Sequence, residues 1–258
     1  EVKMQRLLVI IDPQNDFMRS PEHEGSLAIE EAYADMERLV RYIERETPEQ
    51  ILVTLDSHTV DHIAHALWWT DSEGNHPEPF TVISVDDVVN GRWRGRDHEH
   101  SLWYVQQLAK QGNYDLIIWP DHCVMGTPGH QVVRILAQAL QDWEQRTGRQ
   151  VRYLKKGMND YTEHYSALKA EVVIDADTDM NHELIDYMNE FDRIEFAGEA
   201  SSHCVGNTLV HFIDTIATDA AGKVVVLENA TSPVPNCEHM AEAFFNYARD
   251  KGVQFERI

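Results

Sequence analysis

The chain is 258 residues long and 43% apolar, enough to fill a sizeable core within one α/β unit. Acidic residues outnumber basic ones 44 to 22, and the formal charge of −22 argues against nucleic acid or an anionic membrane as a partner. Cys123, Cys204 and Cys237 are too scattered for a disulfide framework, no apolar run approaches the roughly 18 residues of a membrane span, and no cleavage-site pattern follows the first run, so a reducing cytoplasm is the expected compartment.

In chain order, RLLVIID (6–12) is a continuous apolar run closed by an acid, as expected of a strand buried on both faces. SLAIEEAYADMERLVRYIERE (26–46) carries Leu27, Tyr33, Met36, Leu39, Val40 and Ile43 near helical spacing, with Ser26 as the expected N-cap. ILVTLD (51–56) and DLIIWP (115–120) read as further buried strands, and a helix is expected from about Val132 to Glu144, closed by TG. Strand VRYLK, helix NHELIDYMNEF, strand RIEFAG, a helix opening near Cys204, strand KVVVLE, helix CEHMAEAFFNYARDK and strand VQFERI complete the series. Strands alternating with helices, without tandem hairpins, predict a parallel sheet covered on both faces, as one domain over 1–258. About 66–112 is the exception: rich in Trp, Gly, Pro and His, it reads as an excursion from the sheet, of the kind that forms lids or interfaces. GTPG (126–129) reads as a tight turn rather than a phosphate cradle, because no Lys-Ser/Thr follows.

Ligands of such sheets bind beyond the carboxyl ends of the strands, so reactive side chains that directly follow strands are the candidates. They are Asp12, Asp56 with His58, Trp119 with His122, Lys156, and the segment around Cys204. Asp56 and His58 share one side of an extended chain, and with His122 they form an Asp/His/His set suited to one divalent transition metal: zinc first, iron or manganese as alternatives. His62 and His65 are the nearest candidates for a fourth ligand. A buried Asp12–Lys156 pair near Cys204 would supply a base for the thiol, with the ammonium holding the carboxylate. Cys204 at a helix N-terminus is expected to have its thiolate favoured by unpaired amides and the helix dipole, and those amides could receive an oxyanion. Phe17 and Trp119 could sandwich a flat ring beside the metal.

VIIDPQNDF, LDSH, WPDHCVMGT, KKG followed by YSAL, and GEASSHCV occur in the order and approximate spacing of the isochorismatase-like cysteine hydrolases, and most resemble the nicotinamidases among them. The resemblance spans nearly the whole chain. It implies a three-layer α/β/α fold around a six-stranded parallel sheet, a Cys204–Asp12–Lys156 triad, metal ligation by Asp56, His58 and His122, and pocket aromatics at Phe17, Trp119 and Tyr165. It further implies an oxyanion hole from the amides of Ala200 and Cys204, a non-proline cis peptide near Glu199–Ala200, and a homo-oligomer. Three departures stand out: Glu199 where an apolar residue is usual, Ser202 where an acid or aromatic is common, and the long excursion between His58 and His122. The implied activity is hydrolysis of a small-molecule amide, nicotinamide to nicotinate and ammonia, in NAD salvage. The alternatives are another small amide, ureido or carbamoyl substrate, or a binding protein without turnover on the same fold.

Overall fold

The computed structural model describes residues 3–258; the first two residues of the expected 1–258 span lie outside the described residues. In chain order the elements are β1 (Arg6–Ile11), α1 (Ala32–Glu46), β2 (Gln50–Asp56), β3 (Trp69–Thr70), β4 (Val82–Ile83), α2 (Val85–Val89), β5 (Arg94–Gly95), α3 (His98–Gln111), β6 (Leu116–Ile117), α4 (Arg134–Thr147), β7 (Arg152–Lys156), α5 (His182–Asn189), β8 (Arg193–Glu199), α6 (Cys204–Thr215), β9 (Val224–Ser232), α7 (Glu238–Asp250) and β10 (Gln254–Glu256).

Six strands form one sheet in the order β10-β9-β8-β1-β2-β7, and every neighbouring pair is parallel. β1 shows why an unbroken apolar run suits its centre. Leu7, Val9 and Ile11 enter the core on one face, while Leu8 and Ile10 enter the core on the other. α1 and α4 cover the second of these faces; α3, α5 and α6 cover the first. The chain thus has the expected three layers around a six-stranded parallel sheet.

β1 lies between β2 and β8, so the strand order reverses there and connections leave in opposite directions from its carboxyl end. Such a point opens a crevice at the sheet edge. Asp12 follows β1, Asp56 ends β2, Lys156 ends β7 and Glu199 ends β8, which brings them all to this edge.

Two expected elements differ. α1 starts at Ala32 rather than after Ser26, because Leu27 N donates to the Asp16 carbonyl and Ile29 N to the Phe17 carbonyl (both 2.9 Å). Those bonds hold 27–29 against the loop after β1, outside the helical register, and make Leu27 and Ile29 wall residues of a cavity. The run 115–120 is not a strand of the main sheet. Only Leu116–Ile117 is extended, and it pairs antiparallel with β4 from the excursion, while Trp119 N donates to the Ala64 carbonyl (2.9 Å). These pairings carry Trp119 and His122 across the carboxyl edge.

The excursion is built into the fold rather than appended to it. Tyr104, Val105 and Leu108 of α3 join the core, Trp68 Nε1 donates to Ser101 Oγ (2.9 Å), and Trp69 Nε1 donates to the Ile63 carbonyl (2.8 Å). No helix among the described residues is long and apolar enough to cross a membrane.

Candidate active site

Asp12 occupies the first position after β1 with φ +46°, a left-handed conformation that Asp tolerates better than most residues. Thr54 Oγ1 donates to its Oδ1 (2.7 Å), fixing the carboxylate plane. Its other oxygen, Oδ2, faces Lys156 Nζ at 2.9 Å and receives no further hydrogen bond. Lys156 Nζ also reaches Asp56 Oδ1 (3.2 Å), the His164 carbonyl (2.9 Å) and Cys204 Sγ (3.5 Å). All four side chains are at most 7% exposed. The acid, ammonium and thiol expected from three separate strand ends therefore share one dry site.

The charges in that site set one another. Burial opposes the Lys156 ammonium, but Asp12, Asp56 and Cys204 outweigh it, and its pKa lies well above the ordinary 10.5. Burial raises the Asp12 carboxyl, and Lys156 offsets only part of this. The helix N-terminus expected to favour the Cys204 thiolate is opposed by burial. Burial pushes its thiol well above the ordinary range, and the pull of Lys156 is countered by Asp12 and Asp56. Cys204 does open α6, as expected.

Asp56, His58 and His122 bring one ligand atom each within 4.8 Å of one another, and all three are buried. His58 Nε2 lies 2.9 Å and His122 Nε2 3.3 Å from Asp56 Oδ2. The other ring nitrogens face carbonyls: His58 Nδ1 is 2.9 Å from the Gly157 oxygen, and His122 Nδ1 is 2.8 Å from the Pro120 oxygen. A carbonyl only accepts, so each Nδ1 carries a proton, which leaves each Nε2 as the nitrogen that faces Asp56 and could bind a metal. An oxygen and two such nitrogens fit a divalent transition metal. Gly157, at φ +75°, backs this set: a Cβ there would stand 2.6 Å from His58 Cε1 and 2.8 Å from Asp56 Oδ1. His62 and His65 pack on His58, with ring centroids 4.5 and 5.5 Å away, but lie outside the convergent set. Burial holds both neutral, His65 down to about 2.

Phe17, Trp119 and Tyr165 line one narrow cavity whose floor includes Cys204, Ala200, Asp56 and His122. Trp119 Nε1 donates to the Tyr165 hydroxyl (3.3 Å), so two of the aromatics hold each other's orientation. A larger open groove runs along Gly157, Asn159, Tyr161 and Asp179, but it contains neither the thiol nor the metal-ligand set. The peptide between Glu199 and Ala200 is cis, as expected. The Ala200 carbonyl accepts from His203 N and Val205 N (both 3.0 Å), and no acceptor lies against the N–H groups of Ala200 and Cys204 among the described residues.

Four participants escaped sequence reasoning. Thr54 orients Asp12. Gln14 accepts from Asp56 N (2.8 Å) and donates to the Asp56 carbonyl (2.7 Å), locking β2's end to the loop after β1. Glu163 and His203 both line the cavity. Burial raises the Glu163 carboxyl, and its Oε2 has no partner. His203 stacks on Tyr114, meets Trp119 and Tyr165 edge-on, and is held neutral by burial, down to about 4. The only available signal was proximity in sequence, Glu163 two residues before Tyr165 and His203 directly before Cys204.

The six-stranded all-parallel sheet flanked by helices matches the isochorismatase-like α/β fold of solved nicotinamidase structures. No protein-family model matches the chain. In sequence it is 28% identical over 232 residues to the nicotinamidase of Saccharomyces cerevisiae, an alignment covering 89% of this chain and 88% of that relative. The structure resembles the yeast nicotinamidase bound to the inhibitor nicotinaldehyde, with a TM-score of 0.65, 20% identity, and coverage of 98% of this chain and 100% of that one. It also resembles the pyrazinamidase of Pyrococcus horikoshii in complex with zinc, with a TM-score of 0.58, 17% identity, and coverage of 98% and 99%. The chain is thus similar to nicotinamidases in sequence and shares their fold.

Proposed function

We propose that this protein is a hydrolase of amide carbon–nitrogen bonds that converts nicotinamide to nicotinate and ammonia, with Cys204 as nucleophile. The carrying observation is the meeting of Asp12, Lys156 and Cys204 beside the Asp56/His58/His122 set, in a chain similar to a curated nicotinamidase.

Because the resting thiol is neutral, its proton must leave as attack begins. Asp12 Oδ2, free of other donors, takes it while Sγ bonds to the carboxamide carbon. The electron pair of the C=O bond moves to oxygen, and the amides of Ala200 and Cys204 receive that oxyanion. Asp12 then returns the proton to the amide nitrogen, the C–N bond breaks, and ammonia departs from a Cys204 thioester. A water attacks the thioester carbon, Asp12 accepts its proton, and the thiol is restored as nicotinate leaves. Lys156 keeps Asp12 oriented throughout and opposes the negative charge gathering on Sγ. Phe17, Trp119 and Tyr165 hold the flat ring.

Asp56, His58 and His122 would hold the metal, and zinc, the ion in the Pyrococcus horikoshii structure, suits this donor set. When bound it supplies a Lewis acid for a ring nitrogen and cancels the Asp56 charge that opposes the thiolate.

Protein purified without chelator and supplied with zinc is incubated with nicotinamide, and nicotinate and ammonia are quantified together. Equimolar release is expected; no nicotinate from folded, metal-loaded protein would sink the substrate assignment.

A further inference from the structure

Two acids from different elements are buried together at the carboxyl end of β8. Glu199, its last residue, is fully buried, and Asp35 of α1 is 2% exposed. Ser232, at the end of β9, joins them. Its N–H donates to Glu199 Oε2 (3.1 Å), its hydroxyl to Asp35 Oδ2 (2.6 Å), and its carbonyl accepts from Ser201 N (2.9 Å). Arg38 Nη1 donates to Asp35 Oδ1 (3.2 Å) and to the Asn229 carbonyl (3.1 Å), and is the one cation paired with the two acids among the described residues.

Two carboxyls out of water against one partly exposed guanidinium are costly if both ionise. Sharing one proton removes the conflict. Glu199 is the protonated partner: burial and the facing Asp35 hold it well above its ordinary range. Oε2 accepts from Ser232, which leaves Oε1, without another partner, as the oxygen to carry the proton.

The position of this pair gives it a use. Ala200 sits between the two tethers, the Glu199 side chain before it and the Ser201 N–H after it, both tied to Ser232. Its carbonyl is spent on His203 and Val205. Only its N–H is left free. We propose that Glu199 and Asp35 form a proton-sharing clamp that, through Ser232, aims the Ala200 N–H at the developing oxyanion, which makes Glu199 a positioning residue. This rests on the oxyanion role given to Ala200 above.

The clamp is tested with Glu199→Leu, Glu199→Gln and the milder Ser232→Ala. Gln keeps an acceptor for Ser232 and a donor for Asp35; Leu keeps neither. Loss of aim should lower kcat of Glu199→Leu on nicotinamide by about 30-fold or more, approaching the roughly 100- to 1,000-fold found for removing an oxyanion donor outright. KM and the rate of Cys204 alkylation by iodoacetamide should stay within about threefold, and Glu199→Gln should recover kcat to within about threefold of the wild type. Amide exchange in the ligand-free 198–204 peptide, read by mass spectrometry, should quicken in Glu199→Leu and not in Glu199→Gln, with Ser232→Ala in between. A lowered melting temperature with unchanged kcat, or unchanged 198–204 exchange in both Glu199→Leu and Ser232→Ala, overturns the clamp. Should the wild type release no nicotinate, the substrate reading fails, and the exchange comparison still decides the clamp.

Discussion

Replacing Lys156 by Met keeps most of the length of the side chain and deletes its charge. Its Nζ lies 2.9 Å from Asp12 Oδ2 and 3.2 Å from Asp56 Oδ1. At an effective dielectric of about 20 those pairs attract by about 6 and about 5 kcal/mol. Burying the ammonium costs several kcal/mol in return, so the net loss expected from breaking a buried pair is about 3–5 kcal/mol of folding stability. Lys156 is held above its ordinary 10.5, so its contribution is fully present below that pH and is lost only as pH rises through the folded value. The Lys156 ammonium itself therefore adds no pH dependence to wild-type stability between about pH 7 and 9. Activity suffers separately. Asp12, already raised by burial, rises further beside Asp56, so fewer molecules hold an ionised base, and nothing opposes the charge on Sγ. A kcat loss of about 100-fold or more follows. Denaturant unfolding, metal content and nicotinate release at saturating substrate are measured together. Folded, metal-loaded Lys156→Met with kcat within about threefold of the wild type would refute the assigned role of the ammonium.

Cys204→Ala should abolish nicotinate release by about 1,000-fold or more while costing about 1 kcal/mol of stability, read by product assay and melting; retained turnover removes Cys204 as nucleophile. His122→Ala should weaken zinc binding at least about tenfold and His62→Ala much less, as read by competition with a chromogenic chelator. Gly157→Ala forces a Cβ against His58 and Asp56 at a left-handed backbone position, so it should lower both zinc affinity and stability, the latter by about 1–3 kcal/mol. For Glu199, whose folded value lies above its ordinary 4.5, the stabilising contribution is complete below that pH and is lost as pH rises toward the folded value. Glu199→Gln carries no such titration, so its melting temperature should gain on the wild type as pH rises from about 5 to 9, by about 2–4 °C per kcal/mol.

The strand ends that carry Asp12 and Asp56 were legible because a strand buried on both faces must be an unbroken apolar run, and the polar residue that stops it marks the sheet edge. Two other apolar runs misled for the same reason. Periodicity reports that a residue is buried, not what covers it. Leu27 and Ile29 are covered by the loop after β1 and by the cavity rather than by a helix, and 115–120 is covered by the excursion instead of a sheet neighbour. Thr54 and Gln14 were illegible because their roles are hydrogen bonds to residues 42 positions away, and a lone Thr or Gln has no pattern of its own.

At Cys204 the helix N-terminus and burial pull in opposite directions, and their magnitudes decide between them. A helix N-terminus is visible in a sequence, and it favours an anion by about 0.3–1 kcal/mol, rising to about 2 when partly buried. Desolvation shifts a fully buried group by up to about 3–5 pKa units, which at 1.36 kcal/mol per unit is the larger effect. How deeply Cys204 lies, and that two carboxylates stand near it, are properties of the packed site alone. A neutral thiol beside an Asp12 oxygen held only by Lys156 also explains why base and nucleophile must share one site. The thiolate is costly at rest, so it has to form where Lys156 and the approaching carbonyl carbon can take up its charge at once.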